Sequence, residues 1–311
     1  MNKRMAILDL GTNTFHLLIA EVTDDRIIKV LHKAEEFVQL GEDGLERIGE
    51  MPFERGLQQI IKYKTVMDHF QPQHIIAFGT AAIRSAANGD EFIKQVKLIC
   101  PMEVRKISGD QEAELIYLGV KQAVKLTSAP VLIMDIGGGS TEFIIADENK
   151  IFWKQSFPVG ASVLMKQFQH HEPINEAETA QLKKFLMEQL NSLFLQQQKF
   201  AITQLIGASG SFDTFAAIIG LQFSYQEKEG AKTSFNFSPE QFQALYHQLL
   251  QSNLEERLAM KGMKTFRAKM IVMAAILTDV ILHQFAIQKI SQSAFALKEG
   301  VLWKLIQNEK V

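Results

Sequence analysis

Two stretches of the chain carry residue types and spacing that could grip an anion. Ile7 to Ala20 reads ILDLGTNTFHLLIA, and Ile133 to Ala146 reads IMDIGGGSTEFIIA. The two align without a gap. Each has an apolar run ending in Asp, a Gly two positions later, a string of small hydroxyl or amide residues, and a second apolar run. Small residues in a turn let backbone N–H groups point into one concavity, and hydroxyl side chains add donors; that is the chemistry a phosphate requires. Gly11, Thr12, Asn13 and Thr14 in the first stretch are therefore candidate phosphate-binding residues, as are Gly137, Gly138, Gly139, Ser140 and Thr141 in the second. Neither turn has the lysine spacing of a P-loop.

A carboxylate precedes each turn, Asp9 in one and Asp135 in the other. A carboxylate beside an anion is repulsive unless a cation intervenes. The pairing therefore implies a divalent metal, and the oxygen ligands point to Mg2+. Asp135 has the stronger claim because Glu142 follows it in the same stretch. An alternative reading stays open, in which each aspartate only caps its own turn. His16 occupies the position matching Glu142 and is expected to pack or hydrogen-bond rather than act as a base.

These residues need elements to position them. Each stretch reads as strand, tight turn, strand, with aliphatic residues on either side of turn formers. Two related hairpins more than a hundred residues apart suggest two related domains facing each other and clamping a phosphate chain. Between them strand and helix signals alternate, which argues for an α/β fold. Arg26 to Leu31 is a short strand candidate. Pro52 is expected to open an amphipathic helix carrying Leu57, Ile60, Ile61, Val66, Met67 and Phe70. His74 to Gly79 is a buried strand, followed by a helix around Arg84, another from Glu91 to Ile99, and a strand from Val104 to Ile107. Ser108 with Gln111 resembles a capping box opening a helix through Val124. Lys125 to Pro130 is the best linker signal. Beyond the second hairpin, Ile151 to Phe157 reads as a strand, and Asn175 with Glu178 caps a long helix. Gln204 to Gly207 is a strand entering a small-residue turn, Ala208 to Ser211. Residues Phe223 to Phe237 read as a polar loop, and Ser238-Pro239 with Gln241 opens a further helix.

At 311 residues, two domains is the sensible expectation. A hydrophobic content of 47% and a charged content of 22% suit a globular protein. A formal charge of -2 gives no sign of nucleic-acid or membrane binding, so an anion site must be built locally. The single cysteine, Cys100, excludes an intrachain disulfide framework and a multi-cysteine zinc site, and fits a reducing cytoplasm. The apolar stretch behind Lys3 and Arg4 is broken by Asp9, Asn13 and His16, so no signal peptide is expected. Met270 to Leu282 is interrupted by Thr278 and Asp279, so no membrane span is expected either. Apolar positions from Met270 to Phe285 fit a domain core or a homodimer surface, and core is preferred. His170 and His171 are expected to form a solvated loop pair.

Four ordered motifs carry a resemblance: DLGTNTFHLLIAEV at 9–22, GTAAIRSAANG at 79–89, ISGDQEAELIYLGV at 107–120 and DIGGGSTEFII at 135–145. Weaker matches are FPVGAS at 157–162, IGASGSFD at 206–213 and SAFALKEGVL at 293–302. The chain resembles the exopolyphosphatase / guanosine pentaphosphate phosphohydrolase family of the actin-like, sugar-kinase and heat-shock ATPase superfamily, in its short two-domain form. The resemblance implies two actin-like, ribonuclease-H-like α/β domains with the active site in a cleft. The expected division is 1–124 plus about 297–311, and 125–296. It also implies Mg2+-assisted release of terminal phosphate from polyphosphate or guanosine pentaphosphate.

The family's catalytic carboxylate, which activates water, matches Glu112; its phosphate-contacting arginine matches Arg84. Asp135 and Glu142 match acidic positions around the metal and water. On sequence alone Glu112 is an ordinary acidic residue at a helix start, so its role rests on the resemblance. Arg267, Lys269 and Lys298 are candidates for holding the rest of a polyanion. Val163 stands where many members carry Arg, Lys269 where Asp is common, and Lys298 where Arg is usual. An ATP-dependent phosphotransferase of the same superfamily and a low-turnover polyphosphate-binding protein remain the competing readings.

Overall fold

The computed structural model describes residues 3–23, 28–223 and 233–307. Contacts divide the chain into two units. The first comprises Met1–Gly119, Gly137–Gly139 and Leu297–Val311, and the second Val120–Ile136 and Ser140–Ala296.

The first unit is built on strands β1 (Lys3–Leu10), β2 (Thr14–Val22), β3 (Ile28–Phe37), β4 (His74–Gly79) and β5 (Glu103–Lys106). They lie in the order β3-β2-β1-β4-β5. The β1–β2 and β2–β3 pairs are antiparallel; β4 runs parallel to β1, and β5 to β4. Helices α1 (Glu50–Phe70), α2 (Ala81–Ser85), α3 (Gly89–Ile99) and α4 (Gly109–Ala123) follow the strands. One core gathers Leu8, Leu10, Phe15, Leu17, Ile60, Met67, Phe92 and Val96 from the sheet, α1 and α3. Tyr63 of α1 donates from its hydroxyl to the Phe15 carbonyl at 2.8 Å, tying β2 to the helix beneath it. Burial, with Glu36 adding to it, pushes that phenol above its usual range, so it remains a neutral donor.

The second unit repeats the plan. Its strands are β6 (Val131–Ile136), β7 (Thr141–Ala146), β8 (Ile151–Phe157), β9 (Gln204–Ala208), β10 (Ser234–Phe237) and β11 (Lys289–Ser293). The order β10-β11-β9-β6-β7-β8 is the order of the first sheet with one strand added at the edge. Its helices are α5 (Ala161–Phe168), α6 (Glu176–Gln189), α7 (Asn191–Phe194), α8 (Ser209–Gln222), α9 (Pro239–Gln251), α10 (Leu254–Ala259) and α11 (Ile271–Phe285); α12 (Leu297–Ile306) returns to the first unit. Two antiparallel hairpin strands, a third antiparallel strand and two parallel additions make each sheet ribonuclease-H-like, with β10 added antiparallel at the edge of the second, and the expected actin-like α/β class holds.

Local signals mark several element starts as expected. Capping boxes open α6 at Asn175 and Glu178 and α9 at Ser238 and Gln241. Ser108 and Gln111 exchange the same pair of bonds before α4, at 3.2 and 2.9 Å. Other expectations need correcting. Helix α1 begins at Glu50, two residues before Pro52, because a proline is tolerated anywhere in the first turn, where N–H groups have no intrahelical partner. Part of the expected polar loop is a strand. Ser234 to Phe237 pairs with β11, and Phe237 is buried in the core. The rest of that loop, 224–232, lies outside the described residues, as do residues 26 and 27 of the expected strand at 26–31. The apolar side chains of α11, from Ile271 to Leu282, are consumed by the second unit's own core, so they form no dimer surface. His171 is exposed but tied down, its Nδ1 lying 2.8 Å from Glu178 at the cap of α6. Among the described residues no helix is long and apolar enough to cross a membrane.

Candidate functional site

The hairpins have the same geometry. In the first, Leu10 pairs with Phe15 and Asp9 with His16. In the second, Ile136 pairs with Thr141 and Asp135 with Glu142. Residues directly opposite in a sheet present their side chains on one face. The row through the first sheet is Glu35–His16–Asp9–Phe78. The matching row through the second is Ser156–Glu142–Asp135–Ala208.

The turn at 11–14 is held from outside. The N–H groups of Val38 and Gln39 both donate to the Asn13 carbonyl at 2.8 Å, and Gly41 donates to the Thr12 carbonyl at 3.0 Å. In a trans peptide the N–H points opposite to the C=O. The Asn13 and Thr14 N–H groups therefore aim away from the 38–41 segment. Asp9 is half-buried, Thr12 buried, and Asn13 and Thr14 half-buried.

The second turn contributes to the same unit, since Gly137–Gly139 belong by their contacts with residues 1–119. A Cβ on Gly138 would sit 2.4 Å from Asn13 Nδ2; one on Gly139 would sit 2.8 Å from Thr12 Oγ1 and 3.0 Å from Ala81 Cβ. The two glycine turns touch, and a side chain at either glycine would have to displace Asn13 or Thr12. Ser140 donates its hydroxyl to Glu142 at 2.7 Å, so that hydroxyl is engaged. Thr141 is fully buried and its hydroxyl donates to the Val159 carbonyl at 2.9 Å, so that hydroxyl is engaged within the second unit.

Arg84 of α2 and Glu112 of α4, separated by 28 positions, are brought together. Arg84 Nη1 donates to Glu112 Oε2 and to the Ile107 carbonyl, both at 3.0 Å. The carboxylate is nearly buried, with 11% of its side chain exposed against 25% for Arg84. The capping box at Ser108 fixes the first turn of α4, and with it the direction of Glu112. A guanidinium has five donors in a planar fork, so a bond to a carboxylate leaves it able to meet phosphate oxygens too.

In the second unit Asp135 and Glu142 are buried side by side, 7% and 2% exposed. Ser140 and Ser156 both donate to Glu142 Oε1 at 2.7 Å. Ser209, at the start of α8, donates to Asp135 Oδ2 at 2.6 Å. Like charges directly opposite in a sheet are unfavourable, and these two are held as acceptors by hydroxyl donors. Oxygen-only donors in a pair fit Mg2+, which is commonly held by one or two carboxylates with water and phosphate oxygens completing its shell. Among the described residues no cluster of three or more His, Cys, Asp or Glu could form a full protein cage.

The remaining candidates are dispersed. Arg267 lies in the second unit with its guanidinium against Gly210, where a Cβ would fall 1.7 Å from Nη2. Lys269, in the same unit, is exposed, and Lys298 is half-buried in the first turn of α12, in the other unit. Val163 lies half-buried in α5. Two serines were missed at the sequence level. Ser156 sits two turns of the meander away from Asp135, and only β8 pairing with β7 brings it to Glu142. Ser209 belonged to an expected turn that is instead the opening of α8, and nothing local distinguishes it.

A model of the Ppx/GppA phosphatase family matches residues 18–309. A Haemophilus influenzae protein carrying a provisional exopolyphosphatase name is 28% identical over 99% of this chain and 93% of its own length. The crystal structure of an exopolyphosphatase from Cytophaga hutchinsonii is 38% identical, with a TM-score of 0.95 over 99% of both chains. The Aquifex aeolicus member of the Ppx/GppA family is 25% identical, with a TM-score of 0.81 over 100% of both.

Proposed function

Because the chain belongs to the Ppx/GppA phosphatase family, we propose that it is an exopolyphosphatase that hydrolyses the terminal phosphoanhydride bond of inorganic polyphosphate, or of guanosine pentaphosphate, and releases orthophosphate. The observation that carries this reading is the Arg84–Glu112 pair in the same unit as two touching glycine turns. It joins a base, a cation and anion-holding amides without requiring an acceptor other than water. A phosphotransferase would need a second pocket for its acceptor.

The reaction is an in-line attack of water on the terminal phosphorus, and catalysis is largely positioning and charge compensation. The backbone N–H groups of the 11–14 and 137–139 turns hold the phosphate oxygens. Glu112 accepts the proton of the attacking water, with Arg84 fixing one carboxylate oxygen so that the other faces the nucleophile. The remaining guanidinium donors offset charge that develops on the phosphoryl oxygens. In the second unit Asp135 and Glu142 would hold Mg2+, a cation that screens phosphate charge and orders water when bound. Of the cations expected to hold the rest of a polyanion, Lys298 lies in the same unit as Arg84 and Glu112.

The test is orthophosphate release from polyphosphate with Mg2+ and no acceptor. Glu112→Gln should lower kcat by about 10²–10⁴, the range for loss of a general base, while substrate still binds. Release that needs a sugar or carboxylate acceptor would identify a phosphotransferase. Tight binding with turnover unchanged by the substitution would identify a binding protein. Side-by-side rates on long polyphosphate, short polyphosphate and guanosine pentaphosphate decide the preferred substrate.

A further inference from the structure

The geometry points to Ser209 as a positioning residue that aims the Asp135 carboxylate, at the cost of strain in its own backbone. This rests on the functional reading of Asp135. Ser209 has φ of 62°, in the left-handed region that disfavours any residue carrying a Cβ. A glycine would suit that backbone better. The serine hydroxyl has a use that explains the exception, because it donates to Asp135 Oδ2 at 2.6 Å across 74 positions of sequence. Residues held in sparsely populated conformations persist where the surroundings over-determine them, and they cluster at functional sites.

The ordinary use of a serine at a helix start does not account for it. The N-cap of α8 is Ala208, with no side-chain cap bond, so the Ser209 hydroxyl does not serve the helix end. The next position shows how tightly the segment is specified. Gly210 has no room for a side chain, since a Cβ there would meet the Arg267 guanidinium at 1.7–2.1 Å. The Ser209–Gly210 pair therefore seats a carboxylate on one residue and a guanidinium on the other. The first sheet offers the control. Asp9 is opposite Phe78 as Asp135 is opposite Ala208, and the residue after Phe78 is Gly79, which has no hydroxyl. The device belongs to one of the two equivalent sheets.

With Oδ2 engaged by Ser209, the direction of the other Asp135 oxygen is set before any cation or water arrives. Outer hydrogen bonds of this kind change metal affinity or activity by about 10–100-fold when removed. Ser209→Gly and Ser209→Ala separate strain from aim. Ser209→Gly relieves the backbone and should melt at or above the wild-type temperature in the absence of Mg2+. Its kcat on polyphosphate should nevertheless fall about tenfold, with KM little changed and calorimetric Mg2+ affinity about tenfold weaker. Ser209→Ala keeps the Cβ and should show the same losses without the gain in melting temperature. Wild-type kcat and Mg2+ affinity in either variant would overturn the proposal. So would an absence of Mg2+ binding by the wild type, or a Ser209→Gly variant whose melting temperature falls with its activity. A wild type that released no phosphate would overturn the functional reading instead, while the Mg2+ titration would still decide the role of Ser209.

Discussion

The hairpin of β1 and β2 and the hairpin of β6 and β7 put an aspartate in the same row of equivalent sheets, yet surround it differently. Asp9 faces His16, and beyond that Glu35. Asp135 faces Glu142, which receives two serine hydroxyls, and takes a third hydroxyl from Ser209 itself. Opposite its aspartate the first row carries an imidazole and the second a carboxylate, so the second row sets two carboxyl groups side by side in a buried place. That second arrangement is costly unless a cation or a protonated species visits it. The comparison teaches that two hairpins of the same backbone geometry can carry different charge chemistry.

The sharpest way to break this contrast is to substitute the matching positions. Glu142→Gln should lower kcat by about 10²–10³, the loss seen when a charge-stabilising group is removed from a reacting centre. His16→Gln should leave kcat within a few-fold of wild type. Equal losses in a phosphate-release assay would make the two rows functionally equivalent and end the comparison.

Next in size is the turn contact. Gly138→Ala forces a Cβ to 2.4 Å from Asn13 Nδ2, an overpacking that should cost about 1–3 kcal/mol. Denaturant melts should show that loss, with KM for polyphosphate rising because the turns no longer close on each other. A tolerated alanine with unchanged KM would remove the glycine turn from substrate binding.

Smaller again is the loss of one hydroxyl. Ser156→Ala removes one of two donors to Glu142 Oε1 and should destabilise by about 1.5 kcal/mol, the low end for a hydrogen bond to a charged group. A double-mutant cycle with Glu142→Gln should show coupling. Independent effects of the two substitutions would mean that the serine does not serve the carboxylate.

The smallest effect sits at the far end of the second hairpin's meander. The backbone N–H groups of Lys150 and Asn149 donate to Asp147 Oδ1 at 2.8 and 2.7 Å and hold its carboxyl below the usual range. A depressed folded pKa contributes stability that is fully present above the unfolded value, about 3.9, and is lost as pH falls through the folded one. The gap in melting temperature between wild type and Asp147→Asn should therefore be present at neutral pH and close as pH drops below about 4. A gap that persisted there would show that the turn, not the carboxylate charge, sets the difference.

Much of the framework was legible before any coordinates. Strands at 74–79 and 151–157 emerge with the boundaries read from their apolar runs, and the capping boxes at Asn175, Ser238 and Ser108 open their helices. These signals are short-range, resting on side chains that bond backbone groups three residues away. The paired Asp-x-Gly turns were legible for the same reason. Thr141 stands in a run of small polar residues that reads as a turn, whereas it opens β7 and bonds the Val159 carbonyl. Ser234 to Phe237 was misread because a four-residue alternating pattern is too short to outweigh the polar stretch before it.

By itself, then, the sequence determined where the chain turns, where its helices begin, and that two hairpins of one kind stand in two related α/β units. Only the tertiary structure decided which groups meet. Arg84 reaches Glu112 across 28 positions, Ser156 reaches Glu142 across 14, and Ser209 reaches Asp135 across 74. Each meeting depends on which strand lies beside which and in what register, and a one-residue slip would send every side chain in a row to the opposite face. Local chemistry writes the elements, but register and packing are cooperative properties of the whole sheet.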